Sequence, residues 1–138
     1  MAALDVYYAR GHGDDPVTVA TVDDVDQLID QVRAESPEGA PILMEVHISG
    51  DPYSQGLDVG VDGDRGVLRY SGREWPEGVY STGDGQAGGE PLRYFYMDTD
   101  TEFPANADVP LATVRQAVRE FLTTDGGRPT NVAWQSAR

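Results

Sequence analysis

Apolar residues recur along the chain with two periods. Val22, Val25, Leu28, Ile29 and Val32 follow one another at three- and four-residue spacing, which predicts an amphipathic helix over about 22–35. Thr21 is placed to cap it, and Asp23 and Asp24 fall in the first turn, where carboxylates suit the helix dipole. "SPEGAP" ends it. A second stripe, Leu111, Val114, Ala117, Val118, Phe121 and Leu122, predicts a helix over about 110–123. Proline is tolerated in a first turn, which suits Pro110, and "DGG" is the stop.

Elsewhere the period is two. "ILMEVHIS" (42–49) puts Ile42, Met44, Val46 and Ile48 on one face and Leu43, Glu45, His47 and Ser49 on the other. "LDVYYA" (4–9), "VTVA" (17–20), "LDVGV" (57–61), "VLRYS" (67–71), Val79–Ser81, "LRYFYM" (92–97) and "NVAWQ" (131–135) also read as strands from their β-branched and aromatic content. "RGHGDDP", "GDPYSQG", "DGDRG", "GREWPEG" and "GDGQAGGEP" separate them as turns and loops. The order is hairpin, helix, four-stranded meander, helix, strand. Tight turns between strands imply a mostly antiparallel sheet. With two helices to cover one face, the fold class is α+β rather than doubly wound, in one domain spanning 1–138.

Charge narrows the partners. Ten basic residues, all arginine, stand against 24 Asp and Glu, a formal charge of −14. Nucleic acid and an anionic membrane surface would both be repelled, and a basic protein would be attracted. No run approaches the roughly 20 apolar residues that span a bilayer. The N-terminal residues lack a basic start followed by an apolar core, so no signal peptide is expected. The absence of Cys excludes thiolate chemistry and fits a reducing cytoplasm.

Candidate chemistry is sparse. Only His12 and His47 could serve as imidazole bases, and Ser49, two residues from His47 on the same strand, does not by itself complete a nucleophilic triad. Glu45 and His47 share a face and could begin a metal site, but no matching His or Cys supplies the other ligands. "DGDRG" (62–66) and "DTDTE" (98–102) both break the calcium-loop pattern, the second with Phe103 where the glycine belongs. The glycine-rich "STGDGQAGGEP" lacks the lysine and following helix of a phosphate cradle. No cofactor is implied. Trp75, between Glu74 and Pro76 in a turn, would be a good interface anchor if exposed.

The stretch "YMDTDTEFPANADVPL" places Asp98, Asp100 and Glu102 at alternate positions with no Lys or Arg between them. On a strand they would share one face at about 7 Å spacing. Such a row either faces a basic partner or protects a strand end from aggregation.

"DRGVLRYSG" (64–72), "YSTGDG" (80–85), "EFPANADVPLATVRQAVREFL" (102–122) and "GGRPTNVAWQ" (126–135) together resemble the Imm1 family of immunity proteins. These are actinobacterial-style cytoplasmic proteins of polymorphic toxin systems. The resemblance implies an α+β fold, no enzymatic activity and a cognate toxin encoded next door, often a deaminase or nuclease of nucleic acid. It designates no contact residue. The residues themselves nominate Asp98, Asp100 and Glu102 as the toxin-binding surface, with Glu74, Trp75 and Asp84 beside them. A toxin acting on nucleic acid needs a basic substrate groove that an acidic protein can occupy. The alternative is a small enzyme or sensor that binds a cationic or metal-associated ligand on the sheet face around Glu45, His47 and Asp58.

Overall fold

The computed structural model describes residues 3–12, 14–83, 85, 88–97 and 99–136, with the backbone alone at 52–54. Its elements in chain order are β1 (Leu4–Tyr7), β2 (Val17–Val19), α1 (Val22–Glu35), β3 (Ile42–Ile48), β4 (Asp51–Asp62), β5 (Arg65–Gly72), β6 (Trp75–Thr82), β7 (Leu92–Tyr96), β8 (Thr99–Phe103), β9 (Val109–Pro110), α2 (Leu111–Thr123) and β10 (Ala133–Ser136). The main sheet runs β10-β6-β5-β4-β3-β1-β2; β7 joins β3 and β8, and β9 joins β5. All pairings are antiparallel except a single parallel bridge, Ile42 to Phe95. The expected α+β class holds.

Both helices form where the apolar stripes place them. Thr21 and Asp24 cap α1 reciprocally, the Thr21 hydroxyl accepting from the Asp24 N–H at 3.1 Å and the Asp24 carboxylate from the Thr21 N–H at 3.2 Å. Val25, Leu28, Ile29 and Val32 of α1 and Leu111, Val114, Ala117, Val118, Phe121 and Leu122 of α2 are buried. They meet Leu4, Val6, Met44, Val46, Leu57, Val59, Val61, Leu68 and Tyr70 from one face of the sheet. Arginines on α2 tie the helices together: Arg119 reaches Asp26 at 2.6 Å, and Arg115 pairs with Asp30 and donates to the Asp26 carbonyl.

The opposite face is covered only in part. The β7–β8 hairpin lies over it, with Tyr94 and Phe103 buried against Leu43, Val67 and Ala107. The Tyr94 ring rests directly on Gly60, where an added Cβ would come within 2.6 Å of it. Phe103 meets Tyr80 and Tyr94 edge-on, with ring centroids 5.4 and 5.7 Å apart.

Several boundaries differ from the sequence expectation. "GDPYSQG" is not a long turn: β3 and β4 join at Ser49–Gly50, where Gly50 takes a positive φ of 79°, and β4 begins at Asp51 with its register shifted at His47–Ile48. Trp75 lies in a strand rather than a turn, because β5 and β6 turn tightly at Arg73–Glu74 and Pro76 is accommodated in β6. Pro110 precedes α2 rather than occupying its first turn. The stretch after Tyr96 forms a strand of its own, β8, folded back on β7 through Met97, whose φ is +56°.

Candidate functional site

The acidic row sits on the outer side of this hairpin. Along β8, Asp100 and Glu102 are exposed while Phe103 is buried, as strand alternation requires. Asp98 lies outside the described residues. The expectation that no cation neutralises the row is corrected by the register. Glu102 is opposite Arg93 on β7, and the Arg93 guanidinium lies 3.3 Å from Glu102 and 3.5 Å from Asp100. With about half of each side chain in water (61% for Arg93, 49% and 54% for the acids), these pairs contribute at most about 1 kcal/mol.

Two of the other nominated residues stand on the β5–β6 hairpin rather than on β8. Glu74 is in the β5–β6 turn and Trp75 begins β6. Asp84 lies outside the described residues. Gly83, beyond the other end of β6, donates to the Asn106 carbonyl at 2.7 Å. The eight residues of β6 put these two ends about 25 Å apart.

Next to the hairpin, the uncovered part of the sheet carries a polar row that crosses five strands. Cross-strand register aligns Tyr7, Glu45, Asp58, Arg69 and Tyr80. His47 lies two residues along β3 on the same face, 3.5 Å from Glu45. Arg69 is 3.5 Å from Asp58 and donates to the Glu77 carbonyl at 2.7 Å. Burial, and then repulsion from Glu45, pushes the Asp58 carboxyl up to about 6 against the pull of Arg69. The His47 hydrogen bond holds Glu45 below the usual carboxylate range, and Glu45 in turn raises His47. Among the described residues the buried His47 Nδ1 has no well-formed hydrogen bond, and the Gln55 backbone adds to the raising of the ring's pKa. Burial and the neighbouring Glu45 push the Tyr96 hydroxyl up to about 12. Among the described residues, no group of three or more His, Asp or Glu is placed to hold a metal ion. The row is a network of paired charges on an open sheet.

A third surface lies at the sheet edge. Glu74, Trp75, Pro76, Glu77, Arg128 and Trp134 line an open groove of about 580 Å³. The Arg128 guanidinium lies 4.3 Å from the Trp75 ring centroid. Tyr70 holds both indoles, with centroids 5.9 Å from Trp75 and 6.3 Å from Trp134, and its hydroxyl is fixed to the Gly126 carbonyl at 2.9 Å.

The chain matches the family model described as Immunity protein Imm1 over residues 13–136. It belongs to the Imm1 immunity-protein family. No curated protein matches it. Membership implies a cognate toxin as the partner of this Imm1 chain. Among the described residues no helix is long and apolar enough to cross a membrane.

Sequence reasoning put Glu45 and His47 on one face because alternation within a strand does so, and named Asp58 of the following strand with them. It missed Arg69, Tyr80, Arg93 and Tyr96, because cross-strand neighbours depend on register. It also missed Arg128 and Trp134 beside Trp75. Both belong to the segment "GGRPTNVAWQ", Arg128 before the last strand and Trp134 within it.

Proposed function

We propose that this Imm1 chain protects its cell by binding, not by catalysis, a toxin that acts on nucleic acid, of the deaminase or nuclease class. The acid face of the β7–β8 hairpin enters the toxin's basic substrate groove and competes with the nucleic acid. The observation that carries this reading is the charge: −14 overall, with Asp100 and Glu102 facing outward from a hairpin anchored by the buried Tyr94 and Phe103. A held element loses little conformational freedom on binding. Asp98 extends the row, and Glu74, Trp75 and Asp84 make secondary contacts. The protein works in the cytoplasm without a cofactor.

Arg93 sets the strength of the effect. Asp100 and Glu102 share one cation, so the described part of the row carries about one net negative charge, and its main influence is on the rate of encounter. Replacing Asp98 and Asp100 by Asn and Glu102 by Gln should slow association with the cognate toxin about tenfold at low salt and much less at high salt. Stopped-flow mixing at two ionic strengths measures this. An unchanged rate and unchanged salt dependence would leave the row as a solubilising strand and place the contact elsewhere.

A further inference from the structure

We propose that Glu45, His47 and Asp58 act as one proton-sharing unit, a pH-sensitive device that raises the net charge of the open sheet face by two as the solution turns acid. The device belongs to the chain alone and does not depend on what the toxin is.

Register builds the unit. Glu45 and Asp58 are direct partners across β3 and β4, and side chains opposite one another on an antiparallel pair stand about 5 Å apart at Cβ. Two carboxylates at that distance oppose each other's ionisation. His47 follows Glu45 by two residues on β3, so it shares the face, and its Nε2 lies 3.5 Å from the Glu45 carboxylate. The ring is seated over Gly56, its partner on β4, where an added Cβ would come within 3.1 Å of it. Tyr7 meets the ring edge-on from β1, with centroids 6.1 Å apart. The glycine thus makes room for the imidazole beside the two acids.

The neighbouring strands supply the other charged and titratable groups. From β1, Asp5 is opposite His47 and Tyr7 opposite Glu45. From β5, Arg69 stands 3.5 Å from Asp58. From β6, Tyr80 is opposite Arg69, and Glu77 gives that guanidinium its carbonyl. From β7, the Tyr96 hydroxyl donates to Glu45. The hydrogen bond to Glu45, and then the Glu45 and Asp58 charges, raise His47 against its burial. Burial and then Glu45 push the Asp58 carboxyl up to about 6, with Arg69 and His47 opposing them. As pH falls, His47 therefore takes up a proton first and Asp58 a second, and groups this close titrate as a set. One charge comes from the imidazole and one from the neutralised carboxylate. A basic partner surface is drawn to this face less strongly once both protons are bound.

NMR titration of the full chain from pH 4 to 9 tests the coupling. The chain contains two histidines, so His47→Gln identifies the His47 ring signals, and Asp58→Asn identifies the Asp58 carboxyl carbon. Glu45→Gln should lower the titration midpoints of both His47 and Asp58. Asp58→Asn should lower that of His47, and His47→Gln should raise that of Asp58. All three positions are half-buried on the open face, and a dispersed amide spectrum establishes that each variant is folded. Shifts in all of these directions support a single unit. If Asp58→Asn leaves the His47 midpoint in place, or Glu45→Gln leaves that of Asp58 in place, burial alone sets each group and the proposal is overturned. A shift of the opposite sign overturns it equally.

Discussion

Asp58→Asn should make the protein more stable at neutral pH, although it breaks an ion pair. Asp58 lies between Glu45 and Arg69 in the polar row, with one quarter of its side chain exposed. Its carboxyl titrates at about 6 in the fold, against 3.8 for the free group. A raised carboxyl pKa means that the fold disfavours the charged form. The stability this group withholds is regained as pH falls from about 6 towards 4, and is lost in full above 6. A shift of about two units corresponds to about 3 kcal/mol. Residual hydration of the exposed quarter reduces this, so about 1.5 kcal/mol is a working figure. Asn has the shape of the protonated acid and titrates nowhere, so the variant escapes that penalty. Arg69 keeps its 2.7 Å hydrogen bond to the Glu77 carbonyl. Urea unfolding of parent and variant from pH 4 to 8 measures the difference. It should be near zero at pH 4 and grow in favour of Asn through pH 6. His47 has a pKa raised from 6.5 by its hydrogen bond to Glu45, with Asp58 among the further causes, so its contribution is lost only as pH rises above 6.5; the comparison of the two proteins is therefore read between pH 4 and 6.5, where His47 does not yet contribute to the change. A difference that does not change with pH, or one that favours Asp above pH 6, would refute the reasoning and show that Arg69 outweighs burial.

Phe121 is fully buried under the sheet, so Phe121→Ala should cost about 3–5 kcal/mol, seen as a large fall in thermal midpoint. Ser81 is buried, accepts from the Leu68 N–H at 3.0 Å and donates to the Ala107 carbonyl at 2.7 Å. Ser81→Ala leaves both groups unpaired and should cost about 1–3 kcal/mol by chemical denaturation. His47→Ala should leave protection against the toxin intact in a co-expression growth assay, because blocking a groove needs no proton transfer; a folded variant that binds the toxin but no longer protects would contradict this.

The helices and β3 were legible because burial imposes a period and nothing else in the sequence competes with it. Val114, Val118, Phe121 and Leu122 are buried as the stripe requires. β8 was not legible as a separate strand. The turn before it is made by Met97 at positive φ, and nothing in a methionine signals that conformation. Trp75 was read as part of a turn because Pro76 follows it, yet β6 admits the proline where β10 does not reach. The charge row illustrates the same limit. No cation stands between Asp98 and Glu102 in sequence, but the hairpin register brings Arg93 from across the ladder to two of its members. The chemistry of a sheet surface is written across strands, and alternation along one strand gives only half of it.

The contact between Tyr94 and Gly60 also constrains how this chain can vary by descent. A methyl group at position 60 would collide with the Tyr94 ring and with Val67, so any larger residue at 60 must follow or accompany a smaller one at 94. Loss of the Tyr94 ring alone would leave Phe103 without one of its edge partners and loosen the hairpin that displays Asp100 and Glu102. Change at a buried glycine in the middle of β4 is thereby tied to change in an exposed acidic surface, and lineages that alter one should carry a matching alteration in the other.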